Sequence, residues 1–289
     1  MCNYIISADD FGLAAGINRG IIEGFKKGII TSASICANGR SFEEAILLVK
    51  ENPGLDIGLH IVLIEEKPLS DPSLIKSLVN KNGLLFKKNY QFLLRYFLGA
   101  IRKEDIEQEI REQFSKAFKS GLKVTHVDSH RHLHILPGIL NIIIKLCQEY
   151  KVFSVRCSYQ PLAVREIFSC SVNIFRTILQ LPINITCFIS RRKLKNSGIY
   201  ACRACYGLLH SGSFNFTNFK KTINVLENRA GVYEIMFHPA IVDTELMCKY
   251  RHWKYNWAAD FLTLTSPDIK RFVKEKNIKL LSFRSAGFP

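Results

Sequence analysis

The sequence predicts an α/β protein built as a distorted (β/α) barrel. Short apolar, β-branched runs alternate along the chain with longer amphipathic segments, as expected for parallel strands connected by helices. Acidic residues or histidines repeatedly stand where the apolar runs end. The length of 289 residues exceeds that of an ordinary domain but suits one barrel, so we predict a single domain over residues 1–289, with insertions near 63–100 and 160–215.

The first half of the chain predicts three strands with polar ends. The run at residues 3–8 stops at Asp9 and Asp10 and is followed by a helix at 17–27. A second strand at 28–35 precedes a helix at 42–51, and a third at 56–60 ends on His60. An aspartate at this place can merely cap the next helix, and a lone histidine is often a core residue. Residues 63–90 contain proline, asparagine and glycine and predict an excursion over the mouth of a site.

Residues 125–134, with the sequence THVDSHRHLH, contain four of the eight histidines. A β-branched run at 123–128 favours a strand, which would place His126, Asp128 and His130 on one face. A helix would instead align His126, His130 and His134. We prefer a strand, then a loop, then a helix that begins at Pro137. Alternatively, residues 125–134 form a solvated, histidine-rich loop that has no function in catalysis or binding.

The second half predicts helices at 103–120, 139–150, 218–228 and 268–276 and strands at 152–156, 232–239 and 279–283. Two of these strands end at Arg156 and at His238. Residues 162–200 are apolar and basic, which makes them a candidate membrane-facing segment. Cys202 and Cys205 form a single CxxC motif without a second pair, so we do not predict a zinc site there.

The net charge of +15 comes mainly from residues 151–289, which carry 21 basic and 8 acidic residues. This charge favours anionic partners in general. Nine scattered cysteines suit free buried thiols, and the first dozen residues lack the pattern of a secretory signal. We therefore expect a cytoplasmic protein, with contact at the inner face of the membrane left open.

One set of chemically active residues falls at the predicted carboxyl ends of strands: Asp9, Asp10, His60, His130, Arg156 and His238. In barrels of alternating strands and helices, the loops at these ends build the active site. Two histidines and one carboxylate leave coordination positions open, which favours a catalytic ion over a structural one. The sequence thus predicts a metal-dependent hydrolase.

These motifs resemble the YdjC/ChbG-type carbohydrate deacetylases. The resemblance rests on Ala8-Asp9-Asp10-Phe11-Gly12, Gly58-Leu59-His60, the stretch at 125–134 and Phe237-His238-Pro239-Ala240, which occur in the expected order. It implies a distorted barrel similar to NodB-type polysaccharide deacetylases and removal of an N-acetyl group from an N-acetylglucosamine-type sugar. It also implies one divalent ion, Mg²⁺ or Zn²⁺.

Residue by residue, the resemblance implies an ion held by Asp10, His60 and His130, with Asp9 as the base and His238 as the acid. Arg156 and Tyr159 resemble an Arg-x-x-Tyr element that holds the base. Four more residues would support the ligands or face the substrate: His126, Asp128, His132 and His134.

Three segments resemble the hopanoid biosynthesis-associated branch, where the substrate is a lipid carrying an N-acetylated sugar: residues 63–68, 155–161 and 206–212. In contrast, Asp128-Ser129-His130 matches the chitobiose-acting branch. We expect an N-acetylated sugar or glycolipid as partner and no nucleic acid, and leave a homodimer open.

Two other functions compete with this hypothesis. A metal-dependent phosphoesterase or nuclease would suit the positive charge, but paired metals need more strand-end carboxylates than this chain offers. A non-enzymatic protein that binds RNA or anionic membrane would bind more weakly at high salt and turn nothing over.

Overall fold

The computed structural model describes residues 2–161, 174–227 and 229–287. Within them the strands are β1 (Cys2–Phe11), β2 (Ser32–Ile35), β3 (Asp56–Ile61), β4 (Val124–Ser129), β5 (Ser154–Val155), β6 (Cys205–Tyr206), β7 (Gly231–Phe237) and β8 (Lys279–Leu281). The α-helices are α1 (Ala15–Lys26), α2 (Phe42–Glu51), α3 (Asn89–Phe97), α4 (Lys103–Lys119), α5 (Pro137–Tyr150), α6 (Ile174–Asn196), α7 (Phe216–Leu226), α8 (Thr244–Tyr250), α9 (Trp257–Thr265) and α10 (Pro267–Glu275). Short 3-10 helices cover His130–Ile135 and Arg251–Trp253.

All strand pairs in the described sheet are parallel, in the order β5-β4-β3-β2-β1-β7-β6. The first half of β1 also pairs with β8, so this inner strand has three neighbours, β2, β7 and β8. Parallel pairing turns the carboxyl ends of the strands to one edge, which collects residues from distant parts of the chain. The predicted fold class, an α/β protein built as a distorted (β/α) barrel, is confirmed.

The core explains why these segments become strands and helices. The inner strands are buried along nearly their whole length, because helices cover the sheet and apolar side chains are needed on both of its faces. In α4, Ile106, Ile110 and Phe114 form a buried stripe at helical spacing, as predicted. Pro137 is the first residue of α5, also as predicted.

Several boundaries differ from the prediction. Strand β1 continues through Asp9 and Asp10 to Phe11, and β2 begins only at Ser32. The insertion near 63–100 contains a helix, α3, that we did not predict.

The segment at 162–200 lies partly outside the described residues, which resume in α6. No helix in the described ranges has the length and apolar character needed to cross a membrane. The cysteines within those ranges are free, and Cys202 and Cys205 are buried.

Candidate metal centre and active site

A cavity of about 280 Å³ opens at the carboxyl edge of the sheet. Five of the predicted site residues line it: Asp9, His60, His130, His132 and His238. Both predicted insertions contribute to its walls, through Asn89, Gln180, Ile183, Leu208 and Ser211. Residues predicted at strand ends therefore meet, although they come from both halves of the chain.

Asp10, His60 and His130 form a buried group whose ligand atoms lie within 4.8 Å of one another. The Oδ1 atom of Asp10 is 3.1 Å from Nδ1 of His130 and 3.4 Å from Nε2 of His60. Its other oxygen, Oδ2, is buried and has no hydrogen-bond partner in the described structure. A buried carboxylate oxygen without a partner is costly, so the group is chemically suited to a cation.

The backbone at the end of β1 turns sharply to present Asp10. This residue has a φ of 70°, in the left-handed region that non-glycine residues adopt at some cost. The register between β1 and β2 shifts at the same place, between Ala8 and Phe11. The buried amide of Asn18 accepts from the Gly12 N–H at 2.7 Å and donates to the Ser41 carbonyl, which secures the turn.

His60 is oriented by Asp128, its neighbour across β3 and β4. The Nδ1 atom of His60 lies 2.8 Å from Oδ1 of Asp128, which leaves Nε2 facing Asp10. Burial alone would lower the pKa of His60, but Asp128 and Asp10 together raise it to about 10. Burial would raise the pKa of Asp10, yet His130 and His60 hold it well below its usual value. These groups thus form an interdependent charged cluster.

Arg156 follows β5 and lies fully inside the protein. Its guanidinium makes a bidentate bond with Asp9, at 2.6 and 2.7 Å, and also bonds Glu234 at 2.7 Å and Asp128 at 2.6 Å. Burial would lower its pKa, but Asp128 and Asp9 raise it well above the usual value. The rigid planar fork fixes the direction of the Asp9 carboxylate toward the cavity.

His238 follows β7 on the far side of the cavity. Its backbone N–H donates to Oδ2 of Asp260 at 2.9 Å, and its ring centre lies 4.9 Å from that of Tyr255. Its Nδ1 atom is buried without a hydrogen-bond partner among the described residues. Burial lowers the pKa of this imidazole, while Asp10 and Asp9 partly oppose the shift.

The remaining histidines of the stretch have different surroundings. His126 shares a face of β4 with Asp128, as predicted, but it stacks on Phe283 beneath the cavity and is absent from the cavity lining. His134 is buried between Ser129 and the carbonyl of Arg156, at 2.7 and 3.0 Å. Burial lowers the pKa of His134 to about 4, so it is neutral at pH 7. The rings of His126 and His134 therefore pack behind the residues that line the cavity.

His132 and Tyr159 line two different cavities. His132 borders the cavity and pairs through Nδ1 with the Ser158 hydroxyl at 3.0 Å. Tyr159 faces another cavity, where the Arg191 guanidinium lies 4.7 Å from its ring centre. The contacts of Tyr159 in the structure are therefore away from Asp9, which Arg156 holds without it.

Sequence reasoning missed several residues of the site. Glu65 approaches His130, Glu234 bonds Arg156 from within β7, and Trp253 and Tyr255 form an aromatic wall of the cavity. Glu234 and Glu65 are acidic residues within or just after buried apolar runs, which is the signal that could have revealed them. The aromatic pair lies in a segment without strand or helix periodicity.

Known proteins resemble this chain over nearly its whole length. The model of the YdjC-like protein family matches residues 3–275. The chain is 30% identical to a carbohydrate deacetylase of Brevibacillus brevis, covering 98% of this chain and 99% of that protein. It is also 30% identical to a chitooligosaccharide deacetylase of Serratia marcescens, covering 97% of each.

A crystal structure of an Enterococcus faecalis protein, for which a role in cellobiose-phosphate cleavage has been suggested, has the same fold. It aligns with a TM-score of 0.75 at 23% identity and covers 98% of both chains. The family model spans most of the chain, and it includes every strand-end residue of the cavity. This chain therefore belongs to the YdjC-like family.

Proposed function

We propose that this protein is a metal-dependent deacetylase that removes the N-acetyl group from an N-acetylglucosamine-type sugar. The single observation that carries the proposal is the buried Asp10, His60 and His130 group at the cavity, with Asp9 and His238 on its border. Relatives over nearly the whole chain bear the names carbohydrate deacetylase and chitooligosaccharide deacetylase.

Asp10, His60 and His130 would hold one divalent ion, Mg²⁺ or Zn²⁺. Two imidazole nitrogens and one carboxylate suit either ion and leave coordination positions for water and substrate. When bound, such an ion stabilises the negative charge that develops on the acetyl oxygen and makes water more acidic. The partnerless Asp10 oxygen is the feature of this chain that best fits an ion.

Asp9 would act as the base and His238 as the acid of amide hydrolysis. Asp9 accepts a proton from the attacking water, and the Arg156 fork keeps its carboxylate directed at the cavity. His238 protonates the departing nitrogen, which would otherwise be a poor leaving group. The burial that lowers the pKa of His238 also makes its protonated form a more ready proton donor.

The walls of the cavity suit a sugar. Trp253 and Tyr255 line the cavity and would contact the C–H surface of a sugar ring, and the Arg131 guanidinium lies 5.2 and 5.9 Å from their ring centres. His132 and Ser211 add polar groups at the same cavity. Polar side chains make up most of the cavity lining, which suits a ligand rich in hydroxyl groups.

A lipid-linked form of this sugar is the finer part of the proposal. Helix α6, which contributes Gln180 and Ile183 to the cavity, carries an exposed apolar stripe of Ile178, Leu181, Ile185, Phe188 and Ile189. Phe188 is 78% exposed. The stripe is followed by a basic cluster of Arg191, Arg192, Lys193 and Lys195, so this face suits an anionic membrane surface.

Acetate release tests the deacetylase proposal. The protein is stripped with a chelator, reloaded with Mg²⁺, Mn²⁺, Zn²⁺ or Co²⁺, and assayed on N-acetylated chito-oligosaccharides and glycolipids. We expect no release without an ion, restoration by at least one ion, and no release from His60→Ala or His130→Ala under any ion. Full activity in a folded His60→Ala variant would refute the proposed centre, and phosphate release from phosphoesters instead of acetate would support the competing phosphoesterase.

Vesicle sedimentation tests the membrane surface separately. We expect the protein to sediment with vesicles rich in phosphatidylglycerol more than with phosphatidylcholine vesicles. An Ile185→Ser/Phe188→Ser variant should lose this difference, whereas Leu47→Ser, on the exposed side of α2, should keep it. If the double variant changes only the molecular mass in solution, a second copy of the chain covers the stripe instead.

A further inference from the structure

The carboxylate of Glu65 lies behind His130, on the side away from Asp10. The His130 ring places Nδ1 at 3.1 Å from Asp10 and Nε2 at 3.5 Å from Oε2 of Glu65. Nε2 is buried and has no hydrogen-bond partner in the described chain, so Glu65 is the acidic group in its direction. The two nitrogens of one imidazole therefore face two different carboxylates.

His60 has the same arrangement with its nitrogens exchanged. Its Nε2 faces Asp10 at 3.4 Å, and its Nδ1 bonds Asp128 at 2.8 Å. A histidine that binds a metal through one nitrogen usually donates the other ring N–H to a carboxylate or carbonyl, which sets the tautomer and the ring orientation. Glu65 faces the second ring nitrogen of His130, just as Asp128 faces the second ring nitrogen of His60.

Glu65 is held firmly enough to serve this purpose. Its carboxylate accepts from the Arg131 guanidinium at 3.2 and 3.3 Å and from the Trp253 indole N–H. Its backbone N–H donates to the Phe86 carbonyl, and its φ of 72° lies in the left-handed region. A side chain fixed by three contacts at a strained backbone position indicates a required direction.

We infer that Glu65 is a positioning residue that keeps the His130 proton on Nε2 and leaves Nδ1 free for the ion. The inference rests on the proposed metal centre and deepens it. Glu65 acts through His130 and not on the substrate, so its removal first lowers the affinity for the ion.

The test compares Glu65→Gln with Glu66→Gln. Glu66 is the adjacent buried glutamate, but it bonds Lys249 and Tyr250 and not a histidine. Isothermal titration of the metal-stripped proteins with Zn²⁺ and with Mn²⁺ measures the dissociation constants, and circular dichroism checks the fold. We expect Glu65→Gln to bind each ion about 10–100-fold more weakly than the wild type, as for other residues that support a ligand. Glu66→Gln should bind as the wild type does.

The Co²⁺ absorption spectrum gives a second readout, because it reports the ligand field and not the stability of the protein. We expect a shifted spectrum in Glu65→Gln and an unchanged one in Glu66→Gln. Equal affinity and spectrum in Glu65→Gln and wild type would overturn the inference while leaving the metal centre intact. A loss as large as that of His130→Ala would also overturn it, because Glu65 would then be a ligand itself. A folded wild type that binds none of these ions would instead refute the proposed centre.

Discussion

Replacement of Arg156 by lysine tests whether the guanidinium fork, and not merely its charge, organises the site. Arg156 is 1% exposed and bonds Asp9 twice. Glu234 and Asp128 take further bonds from the same group. Lysine keeps the charge but offers three donors on one atom, so it cannot reproduce a bidentate bond to one carboxylate while reaching two others.

The magnitude follows from the bonds that are lost. A hydrogen bond to a charged group contributes about 1.5–3 kcal/mol, and removal of one partner of a buried ion pair costs about 3–5 kcal/mol. Arg156→Lys leaves at least one buried carboxylate poorly paired. We therefore expect the free energy of unfolding to fall by about 3 kcal/mol.

We expect Arg156→Lys to lower the catalytic rate by a large factor as well. Without the fork, Asp9 loses its fixed direction, and loss of a positioned base typically lowers the rate by about 10²–10⁴-fold. Urea unfolding followed by circular dichroism measures the stability, and acetate release with saturating ion measures kcat/KM. Arg19→Lys is the matched control, because Arg19 pairs with Asp243 on the surface and exposed pairs contribute about 0–1 kcal/mol.

Two results would contradict this reasoning. Wild-type stability in Arg156→Lys would mean that the lysine satisfies the buried carboxylates after all. A destabilised variant with unchanged kcat/KM would mean that the direction of Asp9 does not limit the reaction.

Three further changes test other parts of the structure by the free energy of unfolding. Gly58→Ala should destabilise the protein by about 1–3 kcal/mol, because the added Cβ would lie 2.3 Å from the His126 ring. Unchanged stability would contradict the close packing of Gly58 against His126. Asn18→Ala should cost about 1–3 kcal/mol, because the Gly12 N–H loses its buried acceptor, and a neutral effect would show that the turn is held otherwise. Burial raises the pKa of Asp260 to about 7, so the folded state keeps a proton that the unfolded state has released. The free energy of unfolding therefore falls as the pH rises. Between pH 5 and 7 the wild type should lose about 2 kcal/mol of stability relative to Asp260→Asn. If the stability difference between the two proteins is the same at both pH values, the pKa of Asp260 is not raised.

Much of the site could be predicted from the order of the strands in the chain, because the carboxyl ends of parallel strands lie at one edge of the sheet. Once residues 3–8, 56–60 and 232–239 are taken as buried strands, Asp9, His60 and His238 must lie near one another. The same reasoning could not tell which histidines of residues 125–134 border the cavity. Alternation tells which face of β4 a side chain occupies but not its depth, and depth separates His126, beneath the cavity, from His130 at its border.

The sequence by itself determined the fold class, the strand ends at which chemistry is placed and the family resemblance, because these depend on local periodicity and on short motifs. Only the tertiary structure decided which carboxylate supports which imidazole. Glu65 reaches its partner from a loop, Glu234 reaches across strands and Asp260 reaches from helix α9. Asp10 depends on a left-handed backbone turn. Contacts of this kind arise when distant segments pack, and no local pattern of polar and apolar residues encodes them.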